Sequence, residues 1–485
     1  MNKNKNITLI YNKLPNGGPL SLLYVGSALK RNGYNVKIVS GTSETLLSSI
    51  PELVKEKPLF FGFSTFTGIP IKGCISLSRY IKKLDPASRI IWGGVHPSLL
   101  PRECLSEDYI DYVCIGEGEE TAVEFADHLY AGADDFSGVK GMGYKKDNQI
   151  FITEPRPAQM EIDKFEIDWD LVDLNEFVLT NDPYGQRIYN YSTSRGCPFN
   201  CGFCYNLAFN KIRKVRSHSI ERVVSDLKYI KSKIGVNRIR FCDDNFFANP
   251  SRAIEILYKI KEFGVYPLDL QVRVDSLTED LCRKLSGIGI TRFIIGWESG
   301  NNRILSLIKK GITIEQTMKK MDLLSKFENI IIRASSFIGV PTETLEEASD
   351  TIERAIQISE KLPSAAPEVG NYIPYPGSDL YQLAIQEGFV PPKNTEEWSN
   401  FNIRDPRKIN FPWIKWNIPD KSAFLYGVII YTQSLYHAKS ANWFKTLAKQ
   451  IIYQIVKFRL RHKFFKFPFE LVLAHRFGSK TTALP

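Results

Sequence analysis

The chain has 485 residues, 43% hydrophobic and 24% charged, enough for roughly three domains at about 150 residues each, which excludes a disordered polymer. The formal net charge is +10, but nine Lys or Arg against Glu470 alone lie between Ser440 and Pro485, so +8 of it sits in the tail and the rest is nearly neutral. Eight cysteines, five scattered and three within eight positions, exclude the framework of a secreted disulfide protein.

The opening stretch MNKNKNITLIYNK lacks the apolar run of a secretory signal or a membrane span, so a cytoplasmic location is expected. From there to about residue 135, strand-like runs (Ile7 to Tyr11, Val36 to Ser40, Leu59 to Ser64, Arg89 to Trp92, Tyr112 to Ile115) alternate with helical stretches such as Leu20 to Arg31, Ile71 to Leu84 and Glu120 to Tyr130. Such alternation predicts an α/β fold, a doubly wound, Rossmann-like parallel sheet of five strands over residues 1–140. Residues 141–185 lose the rhythm and read as a linker wrapped on the surface.

Between 186 and 390 the alternation resumes, with strands expected at Tyr189 to Ser194, Arg238 to Cys242, Leu268 to Val272, Arg292 to Gly296, Ile330 to Phe337 and Glu368 to Ile373. Helical patterns follow most of them, among them Ile220 to Ile234, Arg252 to Phe263, Thr313 to Phe327 and Leu345 to Lys361. Six such units predict a partial (β/α)6 barrel with its site at the C-terminal strand ends. Residues 391–485 turn rich in Trp, Phe, Pro and Asn, then helical and basic; there is no internal repeat or low-complexity tract.

The segment STSRGCPFNCGFCYN puts Cys197, Cys201 and Cys204 at C-x3-C-x2-C spacing directly after the first barrel strand. Three thiolates on so short a loop suit zinc, a redox pair or an iron-sulfur cluster. Zinc wants four ligands, usually as two pairs, and no second pair follows, His218 standing alone. A redox pair would leave Cys197 idle. Three ligands on a cluster of four irons leave one iron open to bind a substrate.

This loop, with Phe203 before its last cysteine, resembles the signature of the radical S-adenosylmethionine (SAM) superfamily. The resemblance implies a [4Fe-4S] cluster whose open iron chelates SAM, cleaved on reduction to a 5'-deoxyadenosyl radical, and a reducing donor such as flavodoxin or ferredoxin. It further implies that Asp243, Asp244 and Asn245 of FCDDNF lie near the SAM amine, and that Glu298 of FIIGWESG accepts from sugar hydroxyls. SFIGVPTET, with Gly339, and YIPYPGS would border the adenine; Thr342 stands where the family often has Gly. Taken singly, an acidic pair after a strand also fits a helix cap and ESG a turn.

In the domain in front, LPNGGPLS, FSTFTG, WGGVHPS and IGEGEET follow four strands and fall on one sheet edge. A plain Rossmann-like domain with a nucleotide or no ligand would share such glycines, although no G-x-G-x-x-G follows the first strand. Residues 5 to 135 resemble the cobalamin-binding domain that precedes many radical SAM barrels. By that resemblance Gly17, Gly18, Ser64, Thr65, Gly93, Gly94, Glu117 and Gly118 line the corrin or its nucleotide tail. No D-x-H-x-x-G is present, Asp127 and His128 being adjacent, so the cobalt is expected to lack a protein His. His96 is the conceivable substitute, with an imidazole bonded to backbone as the plainer reading. Cys74, Cys104, Cys114, Cys242 and Cys282 are expected to be buried thiols, Cys242 lying beside the SAM-site acids.

The resemblance implies methyl transfer to an unactivated carbon of a small-molecule or lipid-like substrate. Cyclisation, ring rearrangement or oxidation is the alternative within the family, and a cobalamin- and SAM-binding sensor without catalysis is one of another class. In the tail, Trp443, Phe444, Phe458, Phe464, Phe465, Phe467 and Phe469 interleave with basic residues. That pattern suits peripheral contact with the inner face of a membrane or a helix packed on the barrel. It also suits RNA, but no RNA-binding motif accompanies it, so nucleic acid is not expected as a partner.

Overall fold

The computed structural model describes residues 4–13, 17–180, 186–210, 212–289, 291–327, 329–362, 364–401, 412–416, 425, 428, 443–467, 469 and 470. Arg476 and Lys480 of the basic tail lie outside the described residues. The chain forms two compact units, the first from Met1–Pro198, Tyr205–Ile239 and Pro391–Asn402, the second from Phe199–Cys204, Arg240–Val390 and Ile403–Pro485.

The first unit opens with β1 (Asn6–Asn12), α1 (Leu20–Arg31), β2 (Asn35–Gly41), α2 (Ser43–Lys55), β3 (Phe61–Ser64), α3 (Pro70–Leu84) and β4 (Ile90–Gly93). It continues through α4 (Val95–Leu99), α5 (Pro101–Ser106), β5 (Tyr112–Cys114), α6 (Glu119–Ala131), β6 (Met142–Lys146) and β7 (Gln149–Ile152). The sheet order is β2-β1-β3-β4-β5-β6-β7. Strands β1 to β5 are parallel, and β1 pairs with both β2 and β3, so the topological switch falls between β1 and β3. All five inner residues of β1, from Ile7 to Tyr11, are buried, as a strand covered on both faces requires.

Five strands were expected and seven are present. The antiparallel β6–β7 hairpin extends the sheet through a stretch whose rhythm reads as linker. Its two-residue turn, Asp147-Asn148, has φ +48° and +61°, the conformation of a hairpin turn, supplied by the two non-glycine residue types that tolerate it best. The acidic, aromatic segment that follows buries Ile162, Phe165, Ile167, Trp169, Leu174 and Phe177, so every few residues it anchors itself with an apolar side chain.

Next come β8 (Ile188–Tyr191), β9 (Ser194–Arg195), α7 (Asn206–Asn210), β10 (Arg216–Ser217) and α8 (Ile220–Ile234). Ser219 caps the start of α8 through Arg222 N–H, and Gly235 ends it in the left-handed conformation. Strand β11 (Arg238–Phe241) begins in the first unit and ends in the second.

The second unit holds α9 (Pro250–Glu262), β12 (Tyr266–Leu268), β13 (Leu270–Arg273), α10 (Glu279–Ile288), β14 (Thr291–Glu298), α11 (Asn302–Leu307) and α12 (Ile314–Leu324). It continues with β15 (Ile330–Ile338), α13 (Leu345–Lys361), β16 (Ala365–Asn371) and α14 (Asp379–Gln386). Strands β13-β14-β15-β16 form a parallel sheet in that order, and a strand stands at each of the six expected barrel positions. Capping boxes at Thr313 with Gln316 and at Thr344 with Glu347 start α12 and α13 just after the loops that follow β14 and β15.

Helix α15 (Thr395–Ser399) belongs again to the first unit, where Thr395 Oγ1 donates to Glu107 at 2.7 Å and Trp398 is buried. Helix α16 (Trp443–Arg461) lies in the second unit; Val456 and Leu460 are buried, while Tyr453 and Lys457 bind Glu360 of α13. No helix among the described residues is long and apolar enough to cross a membrane.

Candidate active site

In the first unit, the loops leaving β3, β4 and β5 are laced to one another at the C-terminal edge of the sheet. Thr65 N–H donates to Gly93 C=O at 2.9 Å, Ser98 Oγ to Gly94 C=O at 2.6 Å and Gly116 N–H to Ser98 Oγ at 2.9 Å. Ser21 Oγ, at the start of α1, reaches Ser64 Oγ at 3.0 Å. Gly94 is obligatory: it has φ +94°, and a Cβ there would lie 2.5 Å from Thr65 O. A Cβ on Gly18 or Gly116 would meet nothing within 4 Å, so the backbone at both presents a bare surface. Gly17 directly precedes Gly18, whereas Gly93 and Gly118 have protein atoms of Cys114 against their Cα faces.

His96 is 0% exposed, with Nδ1 3.3 Å from the Thr67 hydroxyl. Burial pushes its pKa down to about 4, which keeps the ring neutral. An enclosed imidazole does not present a nitrogen at the sheet edge.

The Glu117 carboxylate is engaged by two arginines. Its Oε2 accepts from Arg216 Nη1 at 2.8 Å and its Oε1 lies 3.3 Å from Arg195 Nη1. Against the upward push of burial, the Arg216 and Arg195 guanidiniums hold the Glu117 carboxyl below its usual range. Arg195 also donates to Glu119 Oε1 at 2.6 Å and lies 4.5 Å over the Tyr24 ring. Arg195 stands two residues before Cys197, and between them Gly196 has φ +87° with Lys214 O where a Cβ would go. His218, which has no paired Cys or His near it in the sequence, is bonded on both nitrogens, to Tyr24 OH at 2.7 Å and to Asp163 at 2.8 Å.

In the second unit, Cys201 and Cys204 are half-buried on a turn closed by Cys204 N–H to Cys201 C=O at 3.0 Å. Gly202 pins this turn from both sides, donating to Ile308 C=O at 2.8 Å and accepting from Leu380 N–H at 2.9 Å. Arg273, the last residue of β13, brings Nη1 to 3.7 Å from Cys201 Sγ and donates Nη2 to Lys310 C=O at 2.8 Å. Lys310 in turn donates to Glu298 Oε1 at 2.7 Å and lies 6.0 Å over the Phe203 ring, which packs edge-on against Phe337. Cys201, Phe203 and Glu298 are thus linked through Arg273 and Lys310, neither of which carries a motif.

Glu298 sits at φ +65° beside a bulge in the β14–β15 pairing, a strained position for a residue with a side chain. Asp243 and Asn245 are buried beyond the end of β11 and Asp244 is exposed. Among the described residues, Asn245 Oδ1 has no hydrogen-bond partner. Gly339 (φ +82°) is covered by the segment at 412–416: Trp413 Nε1 donates to its C=O at 2.9 Å, and a Cβ would lie 2.6 Å from Ile414 Cδ1. The buried Glu343 accepts from Gly339 N–H and, at 3.2 Å, from Val340 N–H, holding the turn from within.

Cys74, Cys104, Cys114 and Cys282 are buried, but Cys242 is exposed, because it follows the buried Phe241 and takes the opposite face. Among the described residues no three His, Cys, Asp or Glu side chains close on a single ion. Thiolates that each bind a different iron of a cluster stand further apart than the ligands of one zinc.

Residues 191–355 match the family model described as the Radical SAM superfamily, and residues 14–126 match that of the B12 binding domain. An uncharacterized methyltransferase of Pyrococcus horikoshii is 33% identical over 402 residues, 80% of this chain and 83% of that protein. The cytidylyl-2-hydroxyethylphosphonate methyltransferase of Streptomyces wedmorensis is 25% identical over 452 residues, 81% of this chain and 82% of that protein. The solved structure of the radical SAM methyltransferase TsrM from Kitasatospora setae shares the fold with a TM-score of 0.65 at 17% identity, over 80% of each chain. The chain belongs to the cobalamin-binding radical SAM family, whose cofactors are a [4Fe-4S] cluster, S-adenosylmethionine and cobalamin.

Proposed function

We propose that the chain transfers a methyl group to an unactivated carbon of a small-molecule or lipid-like substrate. When bound, the cluster and SAM supply a carbon radical that removes hydrogen, and cobalamin supplies a methyl carrier. The protein's part is to hold and orient. Cys197, Cys201 and Cys204 hold the cluster, and Arg273 places a fixed cation on the Cys201 sulfur. Asp243 and Asn245, buried after β11, offer oxygens to an ammonium, and Glu298, fixed by Lys310, keeps a lone-pair edge for hydroxyls. Phe203 and Gly339 border the same site. At the other cofactor, Gly17, Gly18, Ser64, Thr65, Gly93, Gly94 and Gly118 line the corrin edge, while Glu117 contributes backbone, its carboxylate being held by arginine.

The observation that carries this reading is the convergence of the Cys201 sulfur, Arg273, Lys310 and Glu298 around Phe203. Charged groups are brought together there on one side of a half-buried thiol turn, which suits a site that binds charged and polar groups. Relatives named as methyltransferases support the reaction class. Anaerobic incubation with SAM labelled by deuterium in its methyl group, plus a reductant, tests it. Label in the product supports methyl transfer; deoxyadenosine with an unlabelled product points to cyclisation, rearrangement or oxidation; no deoxyadenosine at all points to a sensor.

The reductant is proposed to be a flavodoxin- or ferredoxin-like donor. A lipid surface is the proposed neighbour of the C-terminal region. Helix α16 buries Val456 and Leu460 yet leaves Leu447, Ile451 and Phe458 exposed in one row, continued by Phe464, Phe467 and Phe469 beside the exposed Arg461, Lys463 and Lys466. Flotation with anionic liposomes tests this: Ile451→Glu with Phe458→Glu abolishes binding, and equal flotation of both forms refutes it.

A further inference from the structure

We infer that Glu117 and Glu119, paired with Arg195 and Arg216, form a clamp that couples the cobalamin-side loop to the cysteine loop, so that each cofactor tightens the binding of the other. The inference rests on the reading that the chain binds both cofactors. A short strand pair leads into the cysteines. In the antiparallel β9–β10 pair, Arg195 stands directly opposite Arg216, and like charges in that relation repel. Glu117 resolves the repulsion by offering one carboxylate oxygen to each guanidinium, at 3.3 and 2.8 Å, while Glu119 takes the remaining arm of Arg195 at 2.6 Å.

The outer members of the clamp are enclosed, the Arg216 side chain being 0% exposed and that of Glu119 4%, and Glu117 and Arg195 are mostly covered at 15% and 19%. Removing one member of a buried set leaves an uncompensated charge, so the four groups move as one body. Neither end has slack. Glu117 lies between Gly116, held at φ +84° by its bond to Ser98 Oγ, and Gly118, which starts α6. At the other end only Gly196 separates Arg195 from Cys197, and its left-handed backbone packs against Lys214 C=O. A displacement of the bare Gly116 backbone by a ligand is therefore passed through Glu117 to the residue next but one to a cluster thiol. The four are positioning residues, since none touches a reacting atom.

The test is the dissociation constant of aquacobalamin for the full chain, measured by fluorescence quenching with and without the reconstituted cluster. In the native sequence the cluster tightens cobalamin binding by about fivefold or more, the usual size of such coupling. In Glu117→Gln, which leaves the enclosed Arg216 without its carboxylate and so lowers the melting temperature, the ratio falls to near one in the protein that remains folded. Should that variant misfold, Arg195→Lys retains the charge but loses the planar fork, and its ratio falls as well. A ratio of one in the native protein, or an unchanged ratio in either folded variant, overturns the clamp. Failure of every form to bind cobalamin overturns the two-cofactor reading and the clamp with it.

Discussion

Arg273 brings its Nη1 to 3.7 Å from Cys201 Sγ while its guanidinium lies flat over the Phe199 ring, 3.5 Å from the centroid. Stacking fixes the plane of the cation, and the ion pair with Asp275 at 3.0 Å fixes its direction. A cation held beside a cluster sulfur favours the reduced state, which carries one more negative charge. Arg273→Met is expected to lower the cluster's midpoint potential by about 59 mV, equivalent to about 1.4 kcal/mol of lost differential interaction for a one-electron couple. Redox titration followed by EPR reads this directly, and a potential unchanged or raised would show that the sulfur does not feel the guanidinium.

The Glu343 carboxyl is fully enclosed, and burial, only partly offset by the Gly339 and Val340 N–H groups, pushes its pKa up to about 8. The folded chain then keeps a proton that the unfolded chain releases at about pH 4.3. Stability from this group is therefore flat below that pH, falls as pH rises towards about 8, and is flat again above it. Glu343→Gln removes the dependence while its amide oxygen still accepts from the turn. The stability of the variant relative to the native protein should rise across this window by up to about 1.4 kcal/mol per pH unit, measured by urea unfolding at a series of pH values. A constant difference would place the native carboxylate in its ordinary range.

Thr342 occupies the left-handed region at φ +69°, where a β-branched side chain costs about 1–2 kcal/mol and Gly costs only backbone entropy. Thr342→Gly should therefore raise stability by up to about 1 kcal/mol, the remainder going to the more flexible unfolded chain. The Arg303 bond to the Thr342 carbonyl at 2.9 Å survives the change, since it uses only backbone. Thermal unfolding measures the shift.

His96, enclosed and neutral, is not expected to reach a cobalt ion. The EPR spectrum of the cobalamin-loaded protein after one-electron reduction should be identical with natural and 15N-labelled histidine. Nitrogen splitting that changes with the label would place an imidazole on the metal.

Much of the architecture was legible because parallel strands covered on both faces read as unbroken apolar runs. Helices α1, α8 and α13 fall on the predicted residues, and a strand stands at each of the eleven expected positions. The β6–β7 hairpin escaped because its turn is Asp147-Asn148, with no glycine to mark it. The cysteine loop was legible from spacing alone, since a cluster demands thiols at short intervals. Arg273 and Lys310 were not, because each acts from a different strand or loop and sequence spacing carries no sign of what meets in space. Resemblance to the cobalamin-binding domain marks Glu117 of IGEGEET, and not its neighbours Glu119 and Glu120, as a corrin contact. Only the structure shows that the Glu117 side chain turns to Arg195 and Arg216, more than seventy residues away along the chain. Helix α15 is a similar case: Thr395 is tied to Glu107 by a hydrogen bond that no periodicity announces.

Three thiols on one loop, holding a cluster with an open iron, underlie every role assigned to the second unit. Iron and acid-labile sulfide are to be quantified in anaerobically reconstituted protein, alongside the variant in which Cys197, Cys201 and Cys204 are all Ala. The native protein should hold about four irons and about four sulfides per chain, with an EPR signal on reduction that changes when SAM is added, and the variant neither metal nor signal. Stoichiometric zinc, or iron and sulfide retained equally by the variant, would contradict it.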